Sequence, residues 1–212
     1  MKITAIRDKS ISIASPMRNS VIDFSTMTIS VVKVETDQRI GGEAVVGYGF
    51  TSNGRYAQSG ILRDRIFPRL MSAPAQALIT DDGKNVDPFK CWQIMMTNEK
   101  PGGHGERSVA VGAVDMALWD LLAKMEGKPL YRTLADRFRD GVCDKKIKVY
   151  AAGGYYYPGD SLGKFKDEMQ GYLDLGFVET KMKIGGASLE EDLRRIEAAL
   201  EVVGTGQCLA VD

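Results

Sequence analysis

The chain has 212 residues, 44% of them hydrophobic, and its 28 basic residues balance its 28 acidic ones. This length supports one large or two small globular domains, and the zero net charge provides no overall field that would attract nucleic acid or a membrane. No apolar run of about 18 residues and no signal-like segment after Met1 is present. A cytoplasmic protein with a small-molecule partner is therefore expected.

Cysteine and histidine usage excludes several kinds of site. Cys91, Cys143 and Cys208 are odd in number and widely spaced, which argues against a disulfide framework or a zinc cluster. His104 is the single histidine of the sequence, and no nucleophile elbow accompanies it. A serine-histidine-aspartate hydrolase is therefore not expected.

Residues 1–140 are predicted to form an α+β capping domain. Alternating apolar residues indicate an antiparallel meander with a short turn near Asp37 and Gln38. Its three strands are expected at residues 2–13, 28–36 and 39–50. Helical periodicity, N-cap residues and helix-starting prolines indicate the helices of this domain. They are expected at residues 60–71, from the Asp87–Pro88 pair through Met95, at 108–126 and at 129–134.

Residues 141–212 are predicted to form the start of a (β/α) barrel. Three strand candidates alternate with two helices, an order that pairs strands in parallel through right-handed crossovers. The strands are expected at residues 147–154, around Lys181 and at 208–212, and the helices at 162–175 and, from a Ser188–Glu191 capping box, through Val203. A complete barrel needs eight strands and about 250 residues. The chain is therefore expected to be most of the N-terminal half of a longer protein, inactive by itself.

Two lysines on one strand point to the chemistry. Lys181 and Lys183 lie on the same face, while Val178, Thr180, Met182 and Ile184 lie on the other. Asp212 ends the next strand, on the face opposite Leu209 and Val211. A solvated edge strand is the plain alternative, but two lysines buried under helices in an open sheet would lack partners. A barrel interior, opening at the strand ends, accommodates all three charged groups.

The motifs resemble those of the enolase superfamily, in its mandelate racemase and muconate lactonising branch. The general resemblance is carried by Ser108–Lys124, Gly127–Arg132, the Lys181-x-Lys183 strand and the Val211–Asp212 strand end. A narrower set of motifs resembles the D-tartrate dehydratases within that branch. It comprises residues 15–19, 46–50, 52–56, 98–107, 150–159 and 181–187.

The resemblance implies Mg²⁺-dependent proton abstraction next to a carboxylate. Lys183 corresponds to the general base of the family, and Lys181 is expected to assist it by like-charge repulsion and to help hold the substrate carboxylate. Asp212 corresponds to the first of three carboxylates that bind Mg²⁺. The general acid of the family is a histidine late in the barrel, to which His104, in the capping domain, does not correspond.

The resemblance also implies a substrate class. Asn19, Asn53, Lys100 and Tyr155 correspond by position to substrate contacts, which suit a dicarboxylate or another acid sugar. The implied reaction is dehydration of D-tartrate to oxaloacetate, by a homo-oligomer without nucleic-acid or membrane partners.

Three alternatives remain open at this level. The same scaffold supports other acid-sugar dehydratases, racemases and cycloisomerases. A lysine near a barrel strand end also suits a Schiff-base aldolase acting through Lys183. A degenerate barrel that binds without catalysis is the third alternative.

Overall fold

The computed structural model describes residues 1–52, 56–102 and 104–212. These residues form two compact units, the first of residues 1–13 and 27–143, the second of residues 14–26 and 144–212. The segment 14–26, which the sequence interpretation includes in the first domain, thus belongs with the second unit. Each unit has its own hydrophobic core. Among the described helices, none combines the length and apolar character that crossing a membrane requires.

The first unit contains the predicted antiparallel meander. Its strands, in the order β1-β2-β3, are β1 (Ile3–Ser12), β2 (Thr28–Ile40) and β3 (Glu43–Phe50). The prediction of a turn near Asp37 is wrong, because β2 continues to Ile40 and the chain reverses at Gly41 and Gly42. Both glycines have positive φ, 60° and 88°, which a tight hairpin of right-handed twist requires.

The helices of the first unit follow the sequence prediction closely. They are α1 (Gln58–Ile61), α2 (Phe67–Ser72), α3 (Pro88–Met95), α4 (Gly105–Met125) and α5 (Leu130–Phe138), with a π-helical turn at Leu62–Ile66 between the first two. Asp87 caps α3, since its Oδ1 accepts hydrogen bonds from the backbone N–H groups of Phe89 and Lys90. The last helix is longer than the predicted 129–134, because it continues to Phe138.

Two glycines of β3 allow α4 to lie directly on the sheet. An added Cβ at Gly47 would lie 2.0 Å from the carbonyl oxygen of Ala117, and one at Gly49 would lie 2.0 Å from that of Ala113. Between them, the backbone N–H of Tyr48 donates to Asp120 of α4 at 2.8 Å. The helix backbone thus occupies the space in which side chains of β3 would otherwise lie.

Glu99 is the common ion-pair partner of three arginines in the first unit. Its side chain is 2% exposed and contacts Arg65 at 2.6 Å, Arg69 at 2.8 Å and Arg107 at 3.0 Å. Arg107 also donates to the carbonyl oxygens of Lys100 and Gly102. The cluster therefore holds the loop that precedes α4.

Acid is expected to destabilise the first unit through this cluster. Hydrogen bonds from Arg69 and Arg107, with the nearby arginine charges, lower the pKa of Glu99 from 4.5 to about 2. A carboxyl group with a depressed folded-state pKa stabilises the fold above pH 4.5, and this contribution is lost as the pH falls towards 2. Urea unfolding should show Glu99→Gln less stable than the wild type at pH 7, with the difference shrinking towards pH 2. A difference independent of pH would contradict this prediction.

The second unit has the parallel strand order of a barrel start. Its elements are β4 (Ala151–Ala152), α6 (Leu162–Asp174), β5 (Thr180–Met182), α7 (Leu189–Val203) and β6 (Leu209–Val211). The strands pair in parallel in the order β4-β5-β6. The first strand is shorter than the predicted 147–154, because its assigned residues are Ala151 and Ala152, in register with β5, while Ile147 and Val149 before it are exposed.

The apolar faces of these strands meet α6 and α7. The core of this unit contains Phe165, Met169, Met182, Ala198 and Ala199, with Ile184 and Leu209 packed against it. Ser188 caps α7 as predicted, since its Oγ accepts from the N–H of Glu191 at 3.2 Å.

Three residues that the sequence pattern assigns to the apolar faces of the second unit are exposed. Helical spacing in the sequence predicts that Leu193 begins the apolar stripe of α7, but Leu193 is exposed, and the face that the core covers includes Asp192 and Arg195. Val178 lies before β5 begins and is exposed, and Val211, although in register with Met182, is half-exposed.

Candidate active site at the strand ends

The register of β5 and β6 brings the predicted charged residues together. Lys181 pairs with Ala210 and Met182 with Val211, so the two strands end at the same level. The backbone N–H of Asp212 donates to Met182 at 3.1 Å, and its carbonyl oxygen accepts from Ile184 at 2.9 Å. Because Asp212 is held between these two residues, its side chain lies beside that of Lys183.

One carboxylate oxygen contacts both lysines. The Nζ of Lys181 lies 2.7 Å from Oδ2 of Asp212, and the Nζ of Lys183 forms an ion pair with the same oxygen. The lysine side chains are 22% and 13% exposed and the aspartate side chain 50%. Lys183 is thus mostly buried, unlike a lysine on the solvated edge strand of the plain alternative. The three groups share one face, opposite the core that contains Met182.

The ion pairs determine the charge state of the site at neutral pH. Hydrogen bonds from Lys181 and then Lys183 lower the pKa of Asp212 to about 2. The hydrogen bond to Asp212 likewise raises the pKa of Lys181 above its usual value of 10.5. Asp212 is therefore an anion and Lys181 a cation, which suits Lys181 to binding a carboxylate rather than to accepting a proton.

Two tyrosine rings flank the lysines. The Nζ of Lys183 lies 5.4 Å from the ring centroid of Tyr155, and the Nζ of Lys181 lies 5.9 Å from that of Tyr150. At such distances the ring faces attract the ammonium groups. The sequence interpretation named Tyr155 but missed Tyr150, although Tyr150 directly precedes β4.

Asn19 lies in the second unit but uses its carboxamide locally. Its Oδ1 accepts from the backbone N–H groups of Val21 at 2.9 Å and Ile22 at 2.6 Å, which closes the turn. The neighbouring Arg18 exchanges two backbone hydrogen bonds with Tyr156, of 3.1 and 2.9 Å. The loop that carries Asn19 is thereby attached to the loop after β4, and the Nδ2 group of Asn19 is the part suited to a substrate oxygen.

The other predicted substrate contacts belong to the first unit. The backbone oxygen of Lys100 accepts from the buried Arg107 at 2.8 Å, which fixes the position of Lys100 in the loop. Asn53 lies outside the described residues. His104 is exposed and directly precedes α4.

Asp212 fits one ligand position of a magnesium site. Mg²⁺ prefers carboxylate oxygens and keeps several waters, and the low pKa of Asp212 keeps its carboxylate ionised. Over residues 1–52, 56–102 and 104–212, no group of three or more His, Cys, Asp or Glu side chains is placed to bind a metal ion. The carboxylate of Asp212 is therefore a suitable type of ligand for Mg²⁺, and the described residues supply this one ligand rather than a complete set.

Most of the chain matches one family. Residues 2–134 match the model of the mandelate racemase/muconate lactonizing enzyme N-terminal domain, more than half of the 212 residues. The chain belongs to this family. The α+β capping domain predicted from the sequence is thereby confirmed as the N-terminal domain of the mandelate racemase/muconate lactonizing enzyme family.

Related proteins of the family include dehydratases and a racemase. Arabinonate dehydratase of Saccharolobus solfataricus is 40% identical over 51% of this chain and 28% of its own length. D-mannonate dehydratase of Novosphingobium aromaticivorans is 31% identical over 90% of this chain and 39% of its own length. N-succinyl-L-Arg/Lys racemase of Bacillus cereus is 27% identical over 100% of this chain and 52% of its own length. The chain thus spans about half, or less, of the length of these relatives.

Solved structures of the family share the fold of the whole chain. N-succinyl Arg/Lys racemase of Bacillus cereus superposes with a TM-score of 0.69 at 25% identity, over 100% of this chain and 52% of the other. A racemase from Streptomyces coelicolor with bound magnesium superposes with a TM-score of 0.67 at 25% identity, over 99% of this chain and 54% of the other. These similarities confirm a capping domain followed by the first strands of a (β/α) barrel.

Proposed function

We propose that the protein to which this chain belongs is an Mg²⁺-dependent acid-sugar dehydratase that converts D-tartrate to oxaloacetate and water. The observation that carries the proposal is the contact of Lys181 and Lys183 with one carboxylate oxygen of Asp212 at the strand ends. The dehydratases among the relatives support the reaction class. The motifs in the loops support tartrate as the substrate.

The proposed roles follow from the charge of each group. A proton next to a carboxylate is a poor acid, because its removal places more negative charge on that carboxylate. Bound Mg²⁺, held partly by Asp212, would stabilise this charge. Lys183, which the strand-end geometry places against Asp212, removes the proton, while Lys181 remains protonated and binds the substrate carboxylate. The departing β-hydroxyl receives its proton from an acid that the resemblance places later in the barrel.

The second carboxylate and the hydroxyls of tartrate require polar partners. We assign this role to Asn19, Tyr155, Asn53 and Lys100. Asn19 and Tyr155 belong to the same unit as the lysines, and Tyr155 already lies against Lys183. The assignment of Asn53 and Lys100 rests on the resemblance, as does the proposed homo-oligomeric state.

A substrate panel tests the reaction and its metal dependence. The full-length protein, incubated with D-tartrate and Mg²⁺, is expected to release oxaloacetate, measured by a coupled NADH assay. D-arabinonate and D-mannonate should be turned over more slowly. A chelator should abolish the activity, and added Mg²⁺ should restore it. Turnover of D-tartrate that a chelator leaves unchanged would contradict the role of Mg²⁺. Faster turnover of another acid sugar would contradict the assignment of D-tartrate as the substrate.

Racemisation is the second candidate, favoured by the similarity of the whole chain to N-succinyl-L-Arg/Lys racemase. It begins with the same proton abstraction but eliminates no hydroxyl. Exchange of the substrate α-proton in D₂O without formation of a keto acid, followed by ¹H NMR, would indicate a racemase. Borohydride trapping of substrate on Lys183 would instead indicate an aldolase that acts through a Schiff base.

A further inference from the structure

Helix α7 buries two charged residues below the candidate site. Asp192 and Arg195 lie about one turn apart and are 6% and 5% exposed. A 3.8 Å ion pair joins Arg195 to Asp160, but the shorter hydrogen bonds of both residues go elsewhere. Burying charged side chains costs free energy unless they are fully hydrogen-bonded. Their partners therefore indicate what the two residues do.

Asp192 connects the loops that follow β4 and β5. Its Oδ1 accepts from the hydroxyl of Tyr156 at 2.6 Å, and its Oδ2 accepts from the backbone N–H of Gly185 at 2.6 Å. The hydroxyl of Tyr156 in turn accepts from the N–H of Gly186 at 3.0 Å. One carboxylate and one phenol thus fix the backbone that begins two residues after Lys183.

Arg195 acts on the other side of the same lysine. Its guanidinium donates to the carbonyl oxygen of Gly154 at 2.7 Å, and that oxygen also accepts from the backbone N–H of Lys183 at 3.2 Å. The guanidinium carbon lies 4.5 Å from the ring centroid of Tyr156 and 4.6 Å from that of Phe165. Gly154 directly precedes Tyr155, whose ring lies against the ammonium group of Lys183.

We propose that Tyr156, Asp192 and Arg195 are positioning residues for the proton transfer assigned to Lys183. They hold the backbone of Lys183 through Gly154 on one side and Gly185 on the other, and they orient the loop that carries Tyr155. This inference rests on the proposed function, because it requires Lys183 to react. Replacing buried charged residues by packed apolar ones is often neutral for stability, so the role of these residues is assigned from their hydrogen bonds, which specify where the lysine lies.

The kinetic consequence follows from the geometry of proton transfer. A displacement of about 1 Å in a reacting group lowers the rate by about 100-fold. Substrate binding is assigned to several groups, chiefly Lys181 and the bound cation, and Tyr155 is the one of them that directly follows Gly154, so a shift of this single contact should affect KM little. Loss of positioning should therefore lower kcat and leave KM nearly unchanged.

Tyr156→Phe is the informative variant, because it removes the hydroxyl that contacts Asp192 and Gly186 but keeps the ring beside Arg195. In the full-length protein we expect kcat to fall about 10- to 100-fold and KM to change less than about twofold. Exchange of the substrate α-proton in D₂O should fall by the same factor as kcat. The assay uses whichever of D-tartrate, D-arabinonate and D-mannonate is turned over fastest. Each rate is divided by the amount of folded protein, which is measured by circular dichroism.

Tyr157→Phe provides the matched control, since the same hydroxyl is removed one residue further along on an exposed side chain. Its kcat should stay within about twofold of the wild type.

Asp192→Asn provides a second test and should lower kcat as Tyr156→Phe does. The double variant of Tyr156→Phe with Asp192→Asn should lower kcat by less than the product of the two single effects, because the residues act as a unit.

The outcomes separate this inference from the proposed function. If Lys183→Ala abolishes turnover while Tyr156→Phe retains the wild-type kcat, the positioning role is wrong, but Lys183 is still supported as the general base. A raised KM at unchanged kcat would also overturn it, since the hydroxyl would then serve binding. Full turnover by Lys183→Ala would remove the proposed function itself.

Discussion

Replacement of Lys183 by alanine is expected to lower kcat of the full-length protein by about 10²- to 10⁴-fold, the usual contribution of a general base. The side chain is mostly buried, at 13% exposure, and its ammonium group lies against Asp212 and above the ring of Tyr155. A water molecule admitted in its place would be a weaker and less well oriented base. The measurement is oxaloacetate release under saturating substrate, together with α-proton exchange in D₂O.

Metal binding distinguishes loss of the base from loss of the site. Lys183→Ala should still bind Mg²⁺, measured by calorimetry, because the proposed ligand Asp212 remains. Lys148→Ala is the matched control, since this lysine of the same unit is 80% exposed and pairs with Glu179 at 2.5 Å. Its kcat should not change. Full activity of Lys183→Ala would contradict the assignment of the base.

The role of Lys181 predicts a different kinetic pattern. Its ammonium group remains protonated beside Asp212, so it should act mainly by binding the substrate carboxylate. Lys181→Met should therefore raise KM more than it lowers kcat. An equal loss of α-proton exchange in the Lys181 and Lys183 variants would indicate that both residues take part in the proton transfer.

Local signals explain what was predictable in the fold. The Asp87 and Ser188 caps and the strand alternation of the meander involve residues close in sequence, and each appears in the structure. The sequence prediction places the turn between β2 and β3 at the polar pair Asp37 and Gln38, whereas the structure has it at Gly41–Gly42. The glycines determine the reversal, since both adopt positive φ.

The candidate site was predictable only in part. Alternation along one strand and the terminal position of the next bring Lys181, Lys183 and Asp212 together, and both signals are visible in the sequence. Asp192 and Arg195 were missed because charged residues on a helix ordinarily indicate its solvent-exposed face. Their burial depends on backbone groups of two loops, which hydrophobic periodicity does not reveal.

The second large effect concerns the capping domain, where Gly47→Ala is expected to destabilise the fold by about 3 kcal/mol. The new Cβ would lie 2.0 Å from the carbonyl oxygen of Ala117 and 2.8 Å from the Cβ of Leu121. The first of these atoms belongs to the backbone of α4, which cannot move away as a flexible side chain can. The helix must shift from the sheet, which loosens the packing of buried residues such as Leu118.

Fluorescence reports on the capping unit specifically, because both tryptophans, Trp92 and Trp119, lie in it. Urea unfolding followed by this signal should show a lower midpoint for Gly47→Ala. Gly112→Ala is the matched control on α4, where an added Cβ meets nothing within 4 Å. Alanine is favoured over glycine inside a helix by about 0.5–1 kcal/mol, so this variant should be more stable than the wild type. Equal midpoints for both variants would show that β3 and α4 do not pack as closely as the structure indicates.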